Sequence, residues 1–291
     1  MRMERKGVKR GVSVYSYAGE YGVTMTLEDI FADIHSMGAR GLEILGNSHI
    51  PDYPNPSEAW IERWFELMEK YDLVPVEYGH WVDSRLYQGR ELSTEESLEM
   101  LIRDFKIANR LGFPILRTKL GVIDETLTPV KNWKEFITAA LPYAEKYNVV
   151  MCPEIHEPTT LDSAMVQEYC EFIDKTGTKH FGLNIDFGIF REKELPKDQM
   201  DPGRPPMEHS KPEELGPYLP YVYCCHAKFI EMSDDLEEIY IPYDRIIAVL
   251  QENNWDGYVL SEYEGFHRGQ PGVASDQVRR QHAMLKRLIG E

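Results

Sequence analysis

Gly11-Val-Ser-Val-Tyr-Ser-Tyr-Ala-Gly-Glu20 holds a first strand, Gly11 to Tyr17, and the turn after it, and that turn separates two α/β folds. An open doubly wound sheet requires a glycine fingerprint directly after its first strand. Tyr15-Ser-Tyr-Ala-Gly-Glu20 has no such spacing. Just beyond it, Thr26 with Asp29 three residues on reads as a variant of the helix capping box. Leu27, Ile30, Phe31, Ile34 and Met37 then recur at helical spacing until Gly38. Gly41-Leu-Glu-Ile-Leu45 is a second strand, so strand, helix and strand follow one another within 35 residues (11 to 45).

The alternation continues to the end of the chain. Asn55-Pro56 reads as an N-cap with proline at the first helical position. The third strand is expected from Leu73 to Tyr78, and Ser93 with Glu96 caps the helix carrying Leu98, Leu101, Ile102, Phe105 and Ala108. Further strands are expected at Phe113 to Thr118, Val149 to Glu154, His180 to Asp186, Tyr221 to Ala227 and Gly257 to Glu262. Between them lie helices around Ile137 to Ala144, Leu161 to Thr176 and Tyr243 to Asn253, with a short turn after Pro212 and a last helix through Val278, Leu285 and Leu288. Eight strand–helix units without internal repeat or linker predict a (β/α)₈ TIM barrel, one domain over residues 1–291.

Composition agrees with that fold. The 291 residues are 42% hydrophobic and 28% charged, as in ordinary globular proteins, and barrels of this type take about 250 residues or more. Met1-Arg-Met-Glu-Arg-Lys-Gly7 has no apolar stretch behind it and does not read as a secretory signal. Four cysteines, two of them adjacent at Cys224 and Cys225, form neither a disulfide framework nor a C-x-x-C pattern. They read as buried thiols in a reducing cytoplasm. A formal net charge of −17 disfavours nucleic acid and anionic membranes as partners.

In a TIM barrel the chemistry lies at the C-terminal ends of the strands. Strand five ends in Cys152-Pro-Glu154-Ile-His156 and strand six in Asn184-Ile-Asp186. Strand seven ends in Cys224-Cys-His226-Ala-Lys228 and strand eight in Ser261-Glu262-Tyr-Glu264. One potential ligand thus stands at each of four successive strand ends: Glu154, Asp186, His226 and Glu262. Three carboxylates and one imidazole suit a hard divalent cation, Mn²⁺ first, with Mg²⁺ or Co²⁺ as alternatives. Strand alternation puts Cys152 and Cys224 about 7 Å deeper on the inner face, and His156, Lys228 and Glu264 one tier higher, toward a substrate. Tyr78-Gly-His80-Trp81, Arg117-Thr-Lys119 and Glu43 end or nearly end strands three, four and two. Tyr78, His80, Arg117 and Lys119 are expected to reach substrate. Trp81 reads as packing, and Glu43 as a group that can orient Arg117 or a tyrosine.

Over essentially the whole chain this pattern resembles the xylose-isomerase-like barrels, which include sugar isomerases, ketose 3-epimerases and endonuclease-IV-type proteins. In that family a Glu, an Asp, a His and a Glu from the last four strands hold the metal. Tyr78-Gly-His-Trp-Val-Asp83, Arg117-Thr-Lys-Leu-Gly-Val-Ile-Asp124, Cys152-Pro-Glu-Ile-His156, Leu183-Asn-Ile-Asp-Phe-Gly188 and Tyr223-Cys-Cys-His-Ala-Lys-Phe229 are most similar to the α (catalytic) subunits of C-glycoside deglycosidases. Those enzymes pair the barrel with a small β-sandwich subunit, so the resemblance implies a hetero-oligomer.

The resemblance also implies a reaction on an oxidised glycoside. When C3 of the sugar is a ketone, the C2 proton is acidic and its removal allows β-elimination across the carbon–carbon bond to the aglycone. His156 is the expected base, with His80 handling the aglycone's protons and Lys119 or Lys228 binding sugar hydroxyls. A sugar epimerase or isomerase starts with the same proton abstraction, with Glu154 and Glu262 as opposed bases, and is the alternative. A third reading is a non-catalytic barrel subunit, against which the intact ligand set argues. An endonuclease would need more ligands and a basic face, and a two-carboxylate glycosidase would need a carboxylate in place of His226. Two loops read as a partner surface: 187–212, with Phe187, Ile189, Phe190, Met200 and Met207, and 231–241, with Met232, Leu236, Ile239 and Tyr240. A self-folded lid is the other reading of both.

Overall fold

The computed structural model describes residues 6–79, 90–120, 128–196 and 207–291. Eight parallel strands close into a barrel in chain order: β1 (Val8–Ser13), β2 (Gly41–Leu45), β3 (Val74–Gly79), β4 (Ile115–Thr118), β5 (Val150–Ile155), β6 (Leu183–Asp186), β7 (Val222–Phe229) and β8 (Gly257–Tyr263). Around them run α1 (Leu27–Ser36), the short α2 (Gly46–His49), α3 (Glu58–Lys70), α4 (Thr94–Leu111), α5 (Trp133–Tyr147), α6 (Ala164–Thr176), α7 (Tyr243–Glu252) and α8 (Val273–Ile289). A 3₁₀ segment, Pro212–Tyr221, replaces the helix of the sixth unit. Among the described residues no helix is long and apolar enough to cross a membrane.

Local signals in the sequence set several boundaries. Both capping boxes form: the Asp29 and Glu96 backbone N–H groups donate to the Thr26 and Ser93 hydroxyls, and each carboxylate accepts from the cap's own N–H. Each satisfies helix-end donors that would otherwise lack partners. The second barrel helix starts two residues later than Asn55 implies. Ser57 is its N-cap, accepting from the Trp60 N–H at 3.2 Å. The first strand also lies earlier than expected. Lys9 and Arg10 hid its start, yet Lys9 pairs with Asp256 and the buried Arg10 with Glu291, so both sit in the strand without an unpaired charge. After Ser13, the last residue paired to β2, the chain turns into a 3₁₀ helix at Val14–Tyr17.

Two apolar shells result. The outer one lies between strands and helices, where Trp133, Tyr169, Phe172 and Phe181 pack mostly edge to face with ring centroids 4.8 to 6.0 Å apart. The inner one plugs the barrel with Val76, Ile115, Cys152, Cys224 and Leu260. Cys152 and Cys224 are therefore packing groups below the mouth, as the alternation implied. One irregularity matters for the site. On β2, Leu42 pairs with Pro75 but Glu43 pairs with Glu77, leaving Val76 as an extra residue in β3. That bulge shifts the phase of the strand, so Val76 and Glu77 both point inward and Tyr78 points out.

Candidate active site

Above the apolar plug, strands five to eight deliver the four expected ligands to one spot. Single oxygen or nitrogen atoms of Glu154, Asp186, His226 and Glu262 all lie within 4.8 Å of one another. His226 is the centre of the group. Its Nδ1 is 3.0 Å from Glu154 Oε1 and 3.3 Å from Glu262 Oε2. On its other side Nε2 is 2.8 Å from Glu77 Oε2 and 3.4 Å from Glu43 Oε2.

These residues fit a divalent cation by three observations. Ionised carboxylates only accept hydrogen bonds, so an imidazole nitrogen between two of them requires a proton or a cation there. Asp186 uses Oδ1 to accept from the Gly188 N–H at 2.6 Å, while its buried Oδ2 has no hydrogen-bond partner. Burial pushes the Asp186 pKa well above the ordinary carboxylate range. Burial also opposes charge on His226, but Glu262, Glu43 and Glu154 outweigh it and hold its pKa well above the usual value. The pocket is held at a negative potential that a buried cation would balance.

Arg117, on β4, ties this layer together. Its Nε donates to Glu43 Oε1 at 2.9 Å and its Nη1 to Glu154 Oε2 at 2.8 Å. Glu43 thus orients Arg117, as one sequence reading had it. Burial raises the pKa of Glu154, yet Arg117 and His226 bring it well below the ordinary value.

The tier above opens into a cavity of about 270 Å³ lined by Tyr15, Arg117, Lys119, His156, Lys228 and Glu264, together with Leu45 and the two ligand glutamates. His156 Nδ1 lies 2.7 Å from the Glu157 carbonyl, which can only accept, so that nitrogen carries the proton. Nε2 is left as the acceptor, 3.2 Å from Lys119 Nζ. Burial lowers the pKa of both His156 and Lys119. Lys228 is ion-paired with Glu264 and lies 3.8 Å from Asp186 Oδ2. Tyr15 closes the wall, donating to Glu264 Oε1 at 3.2 Å and accepting from Arg268 at 2.9 Å.

Several expectations need correction. Tyr78 does not face the cavity: its hydroxyl donates to Asp104 of α4 at 2.9 Å, on the helix side of β3, because of the bulge. Phe187, Ile189 and Phe190 are fully buried in a 3₁₀ turn, with Phe187 packed on Tyr243 at 5.5 Å, so they present nothing to a partner. Met232 is buried too, and Glu238 folds its loop inward by accepting from the backbone N–H groups of Ile230, Tyr240 and Ile241. His80, Trp81 and Met200 lie outside the described residues. Glu77 and Tyr15 were missed as site residues. For Glu77 the signal was a carboxylate inside an otherwise apolar strand. A larger groove of about 520 Å³ lies outside the barrel between α3 and α4 and holds none of the ligands. Its Arg103 and Arg110 are paired with Asp104 and Glu58.

The family described as xylose isomerase-like TIM barrel matches residues 31–288, and the chain belongs to it. Among characterised relatives, it is 23% identical to a C-glycoside deglycosidase alpha subunit of Arthrobacter globiformis, covering 98% of this chain and 93% of that one. It is 22% identical to a 3'-dehydrocarminate deglycosidase alpha subunit of a Microbacterium species, covering 97% and 95%. Among solved structures, D-psicose 3-epimerase of Clostridium cellulolyticum H10 superposes with a TM-score of 0.66 at 15% identity, covering 97% of this chain and 99% of that one.

Proposed function

We propose that this chain is the catalytic subunit of a metal-dependent C-glycoside deglycosidase, a carbon–carbon lyase acting on 3-oxo-C-glycosides. One observation carries the reading: a neutral, Nδ1-protonated His156 lines a cavity together with Glu154 and Glu262, two members of the Glu154–Asp186–His226–Glu262 cluster. When bound there, a divalent cation, with Mn²⁺ the first candidate, supplies a Lewis acid for the sugar's carbonyl oxygen.

The chain's own groups do the rest. Lys119 and Lys228 bind sugar oxygens, and engagement of Lys119 by substrate releases the Nε2 lone pair of His156 that its ammonium faces at rest. His156 then takes the proton from C2. The electron pair of that C–H bond becomes the C1–C2 double bond as the C1–aglycone bond breaks. The aglycone carbon departs with the pair of the broken bond and takes up a proton. His80, outside the described residues, is kept as the candidate for that second transfer.

A sugar epimerase is the second reading, favoured by the presence of both Glu154 and Glu262 in the cavity lining and beside His226 Nδ1. It needs both glutamates as bases. Arg117 grips Glu154 Oε2 at 2.8 Å and depresses its basicity, which favours His156 and the lyase.

The names of the relatives support a partner subunit, proposed here as a small β-sandwich that completes the mouth. The buried thiols of Cys152, Cys170, Cys224 and Cys225 fit a reducing cytoplasm. Product analysis with a 3-oxo-C-glycoside tests the reading, with and without the product of an adjacent small open reading frame. Release of free aglycone, dependent on or strengthened by co-purified partner, is expected. Return of only a 3-oxo-C-glycoside epimerised at C2 or C4 rejects the lyase, and full activity of the chain alone rejects the partner.

A further inference from the structure

We propose that Glu77 is the positioning residue of His226: it holds the proton on Nε2, so that the Nδ1 lone pair faces the cation position between Glu154 and Glu262. The inference rests on the metal-site reading above and extends it to a residue outside the ligand set.

In the neutral form that can ligate a cation, the imidazole stands between two groups of carboxylates that compete for its single proton. On the Nδ1 side are Glu154 at 3.0 Å and Glu262 at 3.3 Å. On the Nε2 side are Glu77 at 2.8 Å and Glu43 at 3.4 Å, and Glu43 is partly neutralised by Arg117 at 2.9 Å. Glu77 is therefore the strongest acceptor below the ring. A proton on Nδ1 would block coordination, whereas a proton on Nε2 leaves Nδ1 open and makes it a better donor to a metal.

Glu77 is built for this task rather than left there by chance. It is fully buried, and Asn184 Nδ2 donates to both its oxygens at 3.2 and 3.1 Å. Asn184 lies on β6 two residues before Asp186, while Glu77 reaches across from β3 to a ligand on β7. Beside it lies the buried apolar cluster of Val76, Ile115, Cys152, Cys224 and Leu260, none of which offers a strong competing donor. The bulge at Val76 is what turns Glu77 inward at all. A carboxylate that leaves a buried strand in this way, and meets the far nitrogen of a ligand histidine, acts on the ligand and not on the substrate.

The experiment is a Mn²⁺ titration of the full chain, followed by electron paramagnetic resonance of the free ion, for wild type, Glu77→Gln, Glu77→Asp and Asp186→Ala. Thermal unfolding of the metal-free proteins is measured beside it. Glu77→Gln keeps the shape but replaces the carboxylate by a neutral amide, a much weaker acceptor for Nε2–H, so Mn²⁺ affinity should fall about 10- to 100-fold. Its metal-free melting temperature shows separately what the buried pair with His226 contributes to the fold. Glu77→Asp keeps the charge and should recover part of the affinity, and it carries the test if the Gln variant fails to fold. Wild-type affinity in a folded Glu77→Gln overturns the proposal, as does a loss of stability with binding unchanged. If wild type takes up no more Mn²⁺ than Asp186→Ala, the metal reading falls and this inference with it.

Discussion

Lys119 Nζ stands 3.2 Å from His156 Nε2, while Nδ1 of the same ring is held by the Glu157 carbonyl at 2.7 Å. The pair leaves the imidazole neutral, in one tautomer, with its lone pair at the cavity. Replacing His156 by Ala should leave metal content intact and lower turnover of a 3-oxo-C-glycoside about 10²- to 10⁴-fold. Metal analysis and steady-state rates on the same preparation check this. A near-normal rate would move proton abstraction to another group.

The orphaned Asp186 Oδ2 and the carboxylate-flanked His226 make the strongest demand for a cation. Purified protein should carry about one Mn²⁺-like ion per chain, and Asp186→Ala or His226→Ala should strip it. Elemental analysis decides. Full occupancy in both variants would reject the site.

Tyr78 is a structural residue. Its hydroxyl and that of Tyr53 both donate to Asp104 Oδ1 at 2.9 Å. Tyr78→Phe should cost about 1 kcal/mol of stability by removing one donor to a buried carboxylate, with turnover unchanged. Denaturant unfolding and kinetics of the one variant separate these. A large loss of rate without loss of stability would restore Tyr78 to the substrate.

Two buried histidines set a pH dependence of folding. Burial lowers His282 to about 3, with Arg10 adding to it, and lowers His49 to about 4. His282 Nδ1 accepts from Arg10 at 3.1 Å and His49 Nδ1 accepts from the Leu45 N–H at 2.9 Å. In the unfolded chain both protonate near pH ~6.5, so below that pH the unfolded state binds more protons. Their contribution is full above pH ~6.5 and is lost as pH falls toward the folded values, at up to ~1.4 kcal/mol per pH unit for each ring. Urea midpoints between pH 7.5 and 5 for wild type and His282→Gln isolate one of them. Wild type should lose stability more steeply, and parallel curves would show that His282 is not held neutral.

What lay in the sequence was whatever depends on near neighbours along the chain. The capping boxes at Thr26–Asp29 and Ser93–Glu96 form because cap and partner are three residues apart. The tiers Cys152–Glu154–His156 and Cys224–His226–Lys228 follow from strand alternation, and a closed barrel brings four successive strand ends to one mouth. Those local rules were enough for the fold, for the meeting of Glu154, Asp186, His226 and Glu262, and for the placing of His156, Lys228 and Glu264 beside them.

Only the tertiary structure decided which face of β3 meets the site. The bulge at Val76 arises from how β3 pairs with β2, so alternation counted along β3 alone puts Tyr78 inside and misses Glu77. The same holds for Phe187, Ile189 and Phe190. Their composition reads equally as a docking surface or a packed turn, and burial against elements distant in sequence, such as Tyr243 of α7, makes them core. Pairing register and burial belong to segments far apart in the chain, and no single stretch of residues contains them.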